Sequence, residues 1–253
     1  MKFIDYTTVI SELLANKQGG MNMMNMKEKI REIVLSHGAD LCGCANIDRF
    51  TGAPEGFHPA GIFSECKSVI SFAVALPKGL TKVPPRLIYG HYNSYACPNV
   101  DAIAFRAAKT FENLFSCFAV PLPCDGPYEY WDDEEMTGRG LVSMKHIAVQ
   151  AGLGTLGKSA LLLNERYGSM LTLGAILTDL NLPSDSPANS ICLDDCKKCV
   201  TSCPVGAINN GAVNQKLCRL NTYNKTARGF NTVDCNRCRT VCPMRFGATA
   251  LKA

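Results

Sequence analysis

Long apolar runs are missing from this chain. The longest candidates are broken by charge or proline, and none reaches the ~20 residues a membrane-spanning helix needs. A processing signal is missing as well. Residues 1–20 carry Asp5 and Glu12, with no basic head, apolar centre and small-residue cleavage site, and no twin-arginine pair. A cytoplasmic, reducing location is therefore expected. Charge of one sign is also scarce. A net +4 scattered over 253 residues makes no case for nucleic acid as a partner. The remaining composition, 47% hydrophobic and 19% charged, is that of a globular protein with a sizeable core. The length admits one large domain, or a medium domain with a small one.

Cysteine is abundant, with 14 residues. Seven fall in two runs, Cys192-x3-Cys196-x2-Cys199-x3-Cys203-Pro204 and Cys235-x2-Cys238-x3-Cys242-Pro243, and Cys218 lies between them. Two short-spaced runs, each closed by Cys-Pro, are the signature of a two-cluster ferredoxin-like module, in which the last cysteine of each run ligates the other cluster. A short loop of cysteines wraps one face of a cluster, and a distant cysteine supplies the remaining bond. By that rule Cys192, Cys196, Cys199 and Cys242 hold one 4Fe–4S cluster, and Cys218, Cys235, Cys238 and Cys203 hold the second. Structural zinc also takes four thiolates, but the double Cys-Pro and the crossed count favour iron–sulfur. Disulfides would need an oxidising compartment. Cys42, Cys44, Cys66, Cys97, Cys117 and Cys124 then read as free thiols in or near the core, where cysteine behaves as a small hydrophobe.

Along the chain, residues 1–25 read as an N-terminal extension, with helical spacing from Tyr6 to Ala15. The main body, 26–185, begins with an amphipathic helix over 26–36 that stops at Gly38. Strands are predicted over 39–47 and 68–76, the latter apolar almost throughout. Residues 50–64 read as a loop, 84–98 as irregular and aromatic, 100–118 as a long helix and 119–123 as a strand. Residues 124–140 form a polar loop with Asp125, Tyr128, Tyr130, Trp131 and an acidic run; a loop of this length inside a domain is more often functional or mobile than idle. Helical spacing over 141–151 and an apolar strand over 169–180 follow. Residues 183–191 read as a polar linker before the cluster module, 186–253.

Gly152, Gly154 and Gly157 match G-x-G-x-x-G, followed by Lys158 and, at the end of an apolar run, by Asp179. That is the outline of a dinucleotide-binding unit. The outline needs a buried strand before its first glycine, whereas a helix is predicted there. NAD or a flavin is accordingly a secondary expectation, behind a glycine-rich turn that serves another ligand or tight packing.

The stretch AGLGTLGKSALLLNERYGSMLTLGAILTDLNL, with the two cysteine runs behind it, resembles the central portion of epoxyqueuosine reductases and their shorter relatives. The resemblance is specific over residues 141–243 and looser over 26–140. It implies an α+β fold: a nitroreductase-like α/β core, with helices on a mostly antiparallel sheet, followed by a ferredoxin-like module. It also implies a cobalamin between core and clusters, an external electron donor of the ferredoxin or flavodoxin type, and a small-molecule or nucleoside substrate. In one respect the chain departs from the family. An aspartate resembling a general acid sits in the family about a dozen residues before the AGLG segment, and the corresponding position here is Gly138. Substitute proton donors are Lys145, His146 and Tyr128, with histidine suited to neutral pH. His91 is a further candidate, and His37 reads as a helix cap. The expectation is a reductase whose substrate is not epoxyqueuosine itself. The alternatives are an electron carrier or corrinoid-reducing partner without substrate chemistry of its own, and a flavin- or nicotinamide-dependent iron–sulfur reductase.

Overall fold

The computed structural model describes residues 22–209 and 211–248, so the helical segment expected over 6–15 lies outside the described residues. Helix α1 (Met23–Ser36) starts three residues before the predicted Met26 because Asn22 caps it, its side chain accepting from the Met24 N–H at 3.2 Å. Ile30, Ile33 and Val34 are buried on its inner face. Strands β1 (Leu41–Asn46) and β2 (Ser68–Ala75) follow, within the predicted ranges. The loop between them holds two short 3-10 turns, Ile47–Phe50 and Pro59–Gly61.

From Leu87 onward, the expected irregular stretch over 84–98 is instead the beginning of a 29-residue helix, α2 (Leu87–Phe115), which runs through Pro98. Proline inside a helix removes one hydrogen bond and costs about 3 kcal/mol. Packing offsets that cost here. Tyr89 and Ala96 are buried among Leu76, Leu80, Met170 and Val233, contacts no local reading could supply. The helix ends at Ser116, in a left-handed conformation with φ 51°, before the predicted Phe118.

Strand β3 (Ala119–Leu122) leads into the expected loop, which holds a small hairpin of β4 (Tyr130–Asp132) and β5 (Thr137–Arg139). Helix α3 (Met144–Gln150), the paired β6 (Thr155–Leu156) and β7 (Leu162–Leu163), and β8 (Leu171–Thr178) complete the core. The sheet has the order β1-β2-β8-β3 and is antiparallel throughout. Helices cover both faces. Ile70 and Phe72 of β2 and Ile176 of β8 meet α1 and α2 on one side. Val69, Ala175 and Leu177 meet Ile147 of α3 on the other, where Ala73 also packs with Ala148. Successive residues of β2 thus enter opposite cores, which is why it reads as apolar rather than alternating.

The C-terminal segment is built from short pieces: α4 (Lys198–Thr201), β9 (Ile208–Asn209), β10 (Ala212–Val213), α5 (Gln215–Thr222), β11 (Tyr223–Lys225), β12 (Asn231–Val233) and α6 (Arg237–Thr240). It lies directly against the core. A Cβ added to Gly90 of α2 would come within 2.9 Å of the Val233 nitrogen, and the Ala248 N–H donates to the Glu165 carbonyl at 2.8 Å. The expected linker, 183–191, has no helix or strand, yet it is pinned. Asp185 pairs with Lys27 at 2.9 Å and Arg31 at 3.0 Å and accepts from the Cys44 N–H at 2.8 Å. Burial alone would raise the Asp185 pKa; the Lys27 and Cys44 hydrogen bonds and the Arg31 charge outweigh it and hold the carboxyl below its ordinary value. No helix among the described residues is long and apolar enough to cross a membrane.

Candidate functional site

Cys192, Cys196, Cys199 and Cys242 line one cavity, together with Lys158, Ser159, Leu163 and Met244. Three cysteines of the first run are thus brought together with the closing cysteine of the second. Burial pushes the Cys199 and Cys242 thiols up, and neighbouring cysteines of the same set add to the effect. Lys158 organises this loop: its ammonium donates to the carbonyls of Leu193 (3.0 Å), Cys196 (3.1 Å) and Asp194.

The second set is less compactly drawn. Burial pushes the Cys238 thiol up to about 11; Arg239 opposes the rise, and Cys218 and Cys235 add to it. These three therefore lie within electrostatic reach of one another. Cys203 accepts from the Ala207 N–H at 3.2 Å, and the next residue, Pro204, shares a cavity wall with Cys235 and Asn236. Among the described residues, no three Cys, His, Asp or Glu side chains converge as they would on a single metal ion.

The glycine-rich segment meets protein rather than open space. It follows helix α3, so the strand that a dinucleotide-binding unit requires before its first glycine is not there. Gly152, at φ +74°, approaches the 183–191 segment so closely that a Cβ would lie 2.4 Å from the Ser186 carbonyl oxygen. At Gly154 a Cβ would meet the Leu163 carbonyl at 2.3 Å. At Gly157 it would lie 2.7 Å from the Leu163 side chain and 3.7 Å from Cys192 Sγ. The glycines allow close backbone packing, and Gly157 and Lys158 shape the wall behind the first cysteine loop.

The three expected proton donors are not brought together. Lys145 is exposed as a residue, but its amino group is held on the Ala160 carbonyl at 2.9 Å, and desolvation there lowers its pKa. His146 sits on the exposed side of α3, its Nδ1 2.7 Å from Ser143 Oγ. Tyr128 lies at the root of the β4–β5 hairpin and stacks on Trp131, with ring centroids 5.7 Å apart. Its hydroxyl accepts from Arg219 Nη2 at 2.9 Å, and the Arg219 guanidinium lies 5.0 Å from the Trp131 centroid. His91 is exposed on α2, edge-on to Tyr92. His37 caps the end of α1, as expected, and contacts Thr110.

Sequence reasoning missed the docking of this hairpin onto α5. The Gly138 N–H donates to Gln215 Oε1 at 3.2 Å, its carbonyl accepts from Gln215 Nε2 at 3.3 Å, and Glu135 pairs with Lys216 at 3.3 Å. Gln215 and Arg219 are one helical turn apart, so both face the hairpin. A partnership across 77 residues leaves no local signal.

No family model matches the chain. Among curated proteins, it is 34% identical over 261 residues to the epoxyqueuosine reductase of Lactococcus garvieae (strain Lg2), covering 89% of this chain and 71% of that protein. It is 27% identical over 218 residues to the epoxyqueuosine reductase of Listeria monocytogenes, covering 79% of this chain and 55% of the relative. The Bacillus subtilis enzyme is 24% identical over 258 residues, covering 90% and 65%. The chain thus spans little more than half to two thirds of the length of the last two relatives. Among solved structures, it is similar to epoxyqueuosine reductase from Streptococcus thermophilus, with TM-score 0.62, 21% identity and coverage of 88% and 67%. It is also similar to a catabolic reductive dehalogenase in complex with 3-bromo-4-hydroxybenzoic acid, with TM-score 0.69, 16% identity and coverage of 97% and 37%. At these identities the likeness is one of fold.

Proposed function

The chain belongs to the epoxyqueuosine reductase family, and from that premise we propose that it is an iron–sulfur reductase carrying two 4Fe–4S clusters. The observation that carries the reading is the single cavity lined by Cys192, Cys196, Cys199 and Cys242. This is the crossed ligand set of a two-cluster module. The donor chemistry fits. Partly buried thiols with raised pKa values are costly to ionise in isolation, and a polynuclear cation offsets that cost. Thiols that surround a cavity, rather than meet at a point, suit a cluster better than one zinc ion. In the same reading Cys218, Cys235, Cys238 and Cys203 hold the second cluster, residues 186–253 are a ferredoxin-like module, and residues 26–185 are a nitroreductase-like core.

The bound clusters would supply single electrons, drawn from a ferredoxin- or flavodoxin-type donor, to a corrinoid seated against the core. The corrinoid rests on family membership and on fold likeness to the dehalogenases. This chain's own residues would hold the cysteine loop through Lys158 and close over the substrate with the Tyr128–Trp131 hairpin. Glycine at position 138 supports a substrate other than epoxyqueuosine, a small molecule or nucleoside, because no carboxylic acid is available there to deliver a proton. The same glycine favours a second reading, an electron carrier or corrinoid-reducing partner.

Anaerobic purification with iron, sulfide and cobalt analysis, followed by absorbance titration with hydroxocobalamin and with FAD, tests these readings. About eight irons per chain are expected, the sum of two four-iron clusters, with spectral change on adding hydroxocobalamin. Zinc without iron overturns the reductase. Iron without affinity for either cofactor favours the carrier.

A further inference from the structure

Six cysteines lie outside the cluster runs, and two of them differ from the rest. Cys42, Cys44, Cys66 and Cys117 are buried, whereas Cys97 and Cys124 are half-exposed. Cys97 lies in α2 and Cys124 just beyond β3, yet their thiols share a hydrogen bond. The contact is built from both sides. Asp101, one helical turn after Cys97, accepts from the Cys124 N–H at 2.8 Å, so one face of α2 holds both the backbone and the thiol of Cys124. Pro98 follows Cys97 directly, and without an N–H it cannot close the helical bond back to Ser94. The turn that carries Cys97 therefore has one backbone restraint fewer than its neighbours.

The two thiols are not equivalent. Cys124 is the donor, and its hydrogen bond holds Cys97 below the usual thiol value. Burial and the charges of Asp125 and Asp101 oppose that effect, and Arg239 reinforces it. Cys124 is correspondingly raised, first by that same hydrogen bond and then by burial. One sulfur is thus the better nucleophile, and the other stays protonated beside it.

We propose that Cys97 and Cys124 form a redox-active dithiol that closes reversibly to a disulfide by exchange with a low-molecular-weight disulfide. In the first step Cys97 sulfur attacks one sulfur of the small disulfide. A bond forms between Cys97 and that half, and the other half leaves as a thiolate. In the second step Cys124 sulfur displaces the bound half, closing Cys97 to Cys124. Two protein thiols are oxidised, one small disulfide is reduced to two thiols, and the protons lost by Cys97 and Cys124 end on the two leaving thiolates. The closed form ties the root of the 124–140 loop, which carries Tyr128 and Trp131, to α2. The site does not depend on what the cluster cysteines bind.

The test uses the purified full chain, anaerobically and with its metal content intact, equilibrated in glutathione buffers of stepped composition. Samples are quenched in acid, alkylated and mapped by peptide mass spectrometry. A linked Cys97–Cys124 peptide is expected, with the ratio of closed to open form rising roughly tenfold per tenfold rise in [GSSG]/[GSH]², as a two-electron exchange requires. Cys124→Ser should trap glutathione on Cys97. Absence of the linked peptide at every ratio overturns the proposal. So does glutathione trapped on Cys124 of Cys97→Ser in preference to Cys97 of Cys124→Ser.

Discussion

The ring of Tyr128 occupies the space that a side chain on Gly138 would need: a Cβ built there would lie 2.9 Å from the ring. At the position where the family resemblance leads to the expectation of an acid, this chain carries a glycine covered by an aromatic face. Gly138→Asp alone must therefore displace Tyr128, which in turn strains the Arg219 hydrogen bond. A stability loss of about 1–3 kcal/mol is expected, the usual cost of overpacking. Tyr128→Ala in the same background should return part of it. Denaturant midpoints for both single variants and the double variant measure the coupling; additive losses would mean that ring and glycine do not oppose each other.

Lys158 binds three carbonyls of the loop that carries Cys192 and Cys196. Lys158→Met keeps most of the unbranched apolar stem and removes the donors. The expected outcome is loss of one cluster, with iron falling to about four per chain, and an unchanged far-ultraviolet circular dichroism spectrum. Full iron content in the variant would show that the loop holds its shape unaided.

Asp185 links α1 to the segment just before the cysteine runs. Its folded pKa lies below the unfolded carboxylate value of about 3.9. The stabilisation is therefore fully present above that value and is lost as pH falls through the lower, folded one. Asp185→Asn should cost about 2 kcal/mol at neutral pH, between the cost of breaking an exposed pair and that of breaking a fully buried one, because the side chain keeps 21% of its exposure. The gap in melting temperature between wild type and variant should be flat above about pH 5 and should narrow below about pH 4. A gap that persists into acid would assign the effect to packing rather than charge.

Much of this architecture was legible in the chain. Strands β1, β2 and β8 lie within predicted apolar segments because burial imposes its pattern directly on composition. Spacing also suggested two cysteine groups, since short loops must wrap what they bind, and the four of the first group line one cavity. What was illegible is mostly non-local. Pro98 reads as a breaker, and only Met170 and Val233, far along the chain, make the helix around it favourable. Asp185 reads as linker polarity until Lys27 and Arg31 are folded against it. Cys97 and Cys124 read as two small hydrophobes, because nothing in either neighbourhood announces a shared hydrogen bond.

Cys203 closes the first run, but in the crossed arrangement it serves the second cluster. Its sulfur already accepts from the Ala207 N–H, and Pro204 sets its loop beside Cys235. Cys203→Ala should therefore perturb the cluster of Cys235 and Cys238 and leave that of Cys196 and Cys199 nearly intact. Paramagnetic resonance of the reduced protein separates the two cases when read against Cys242→Ala, which should damage the opposite cluster. If both variants abolish the same signal, the crossing is wrong and each run would hold its own closing cysteine. The two clusters would then lack the shared scaffold that the crossing provides, in which losing either Cys-Pro closure weakens the neighbouring site instead of its own.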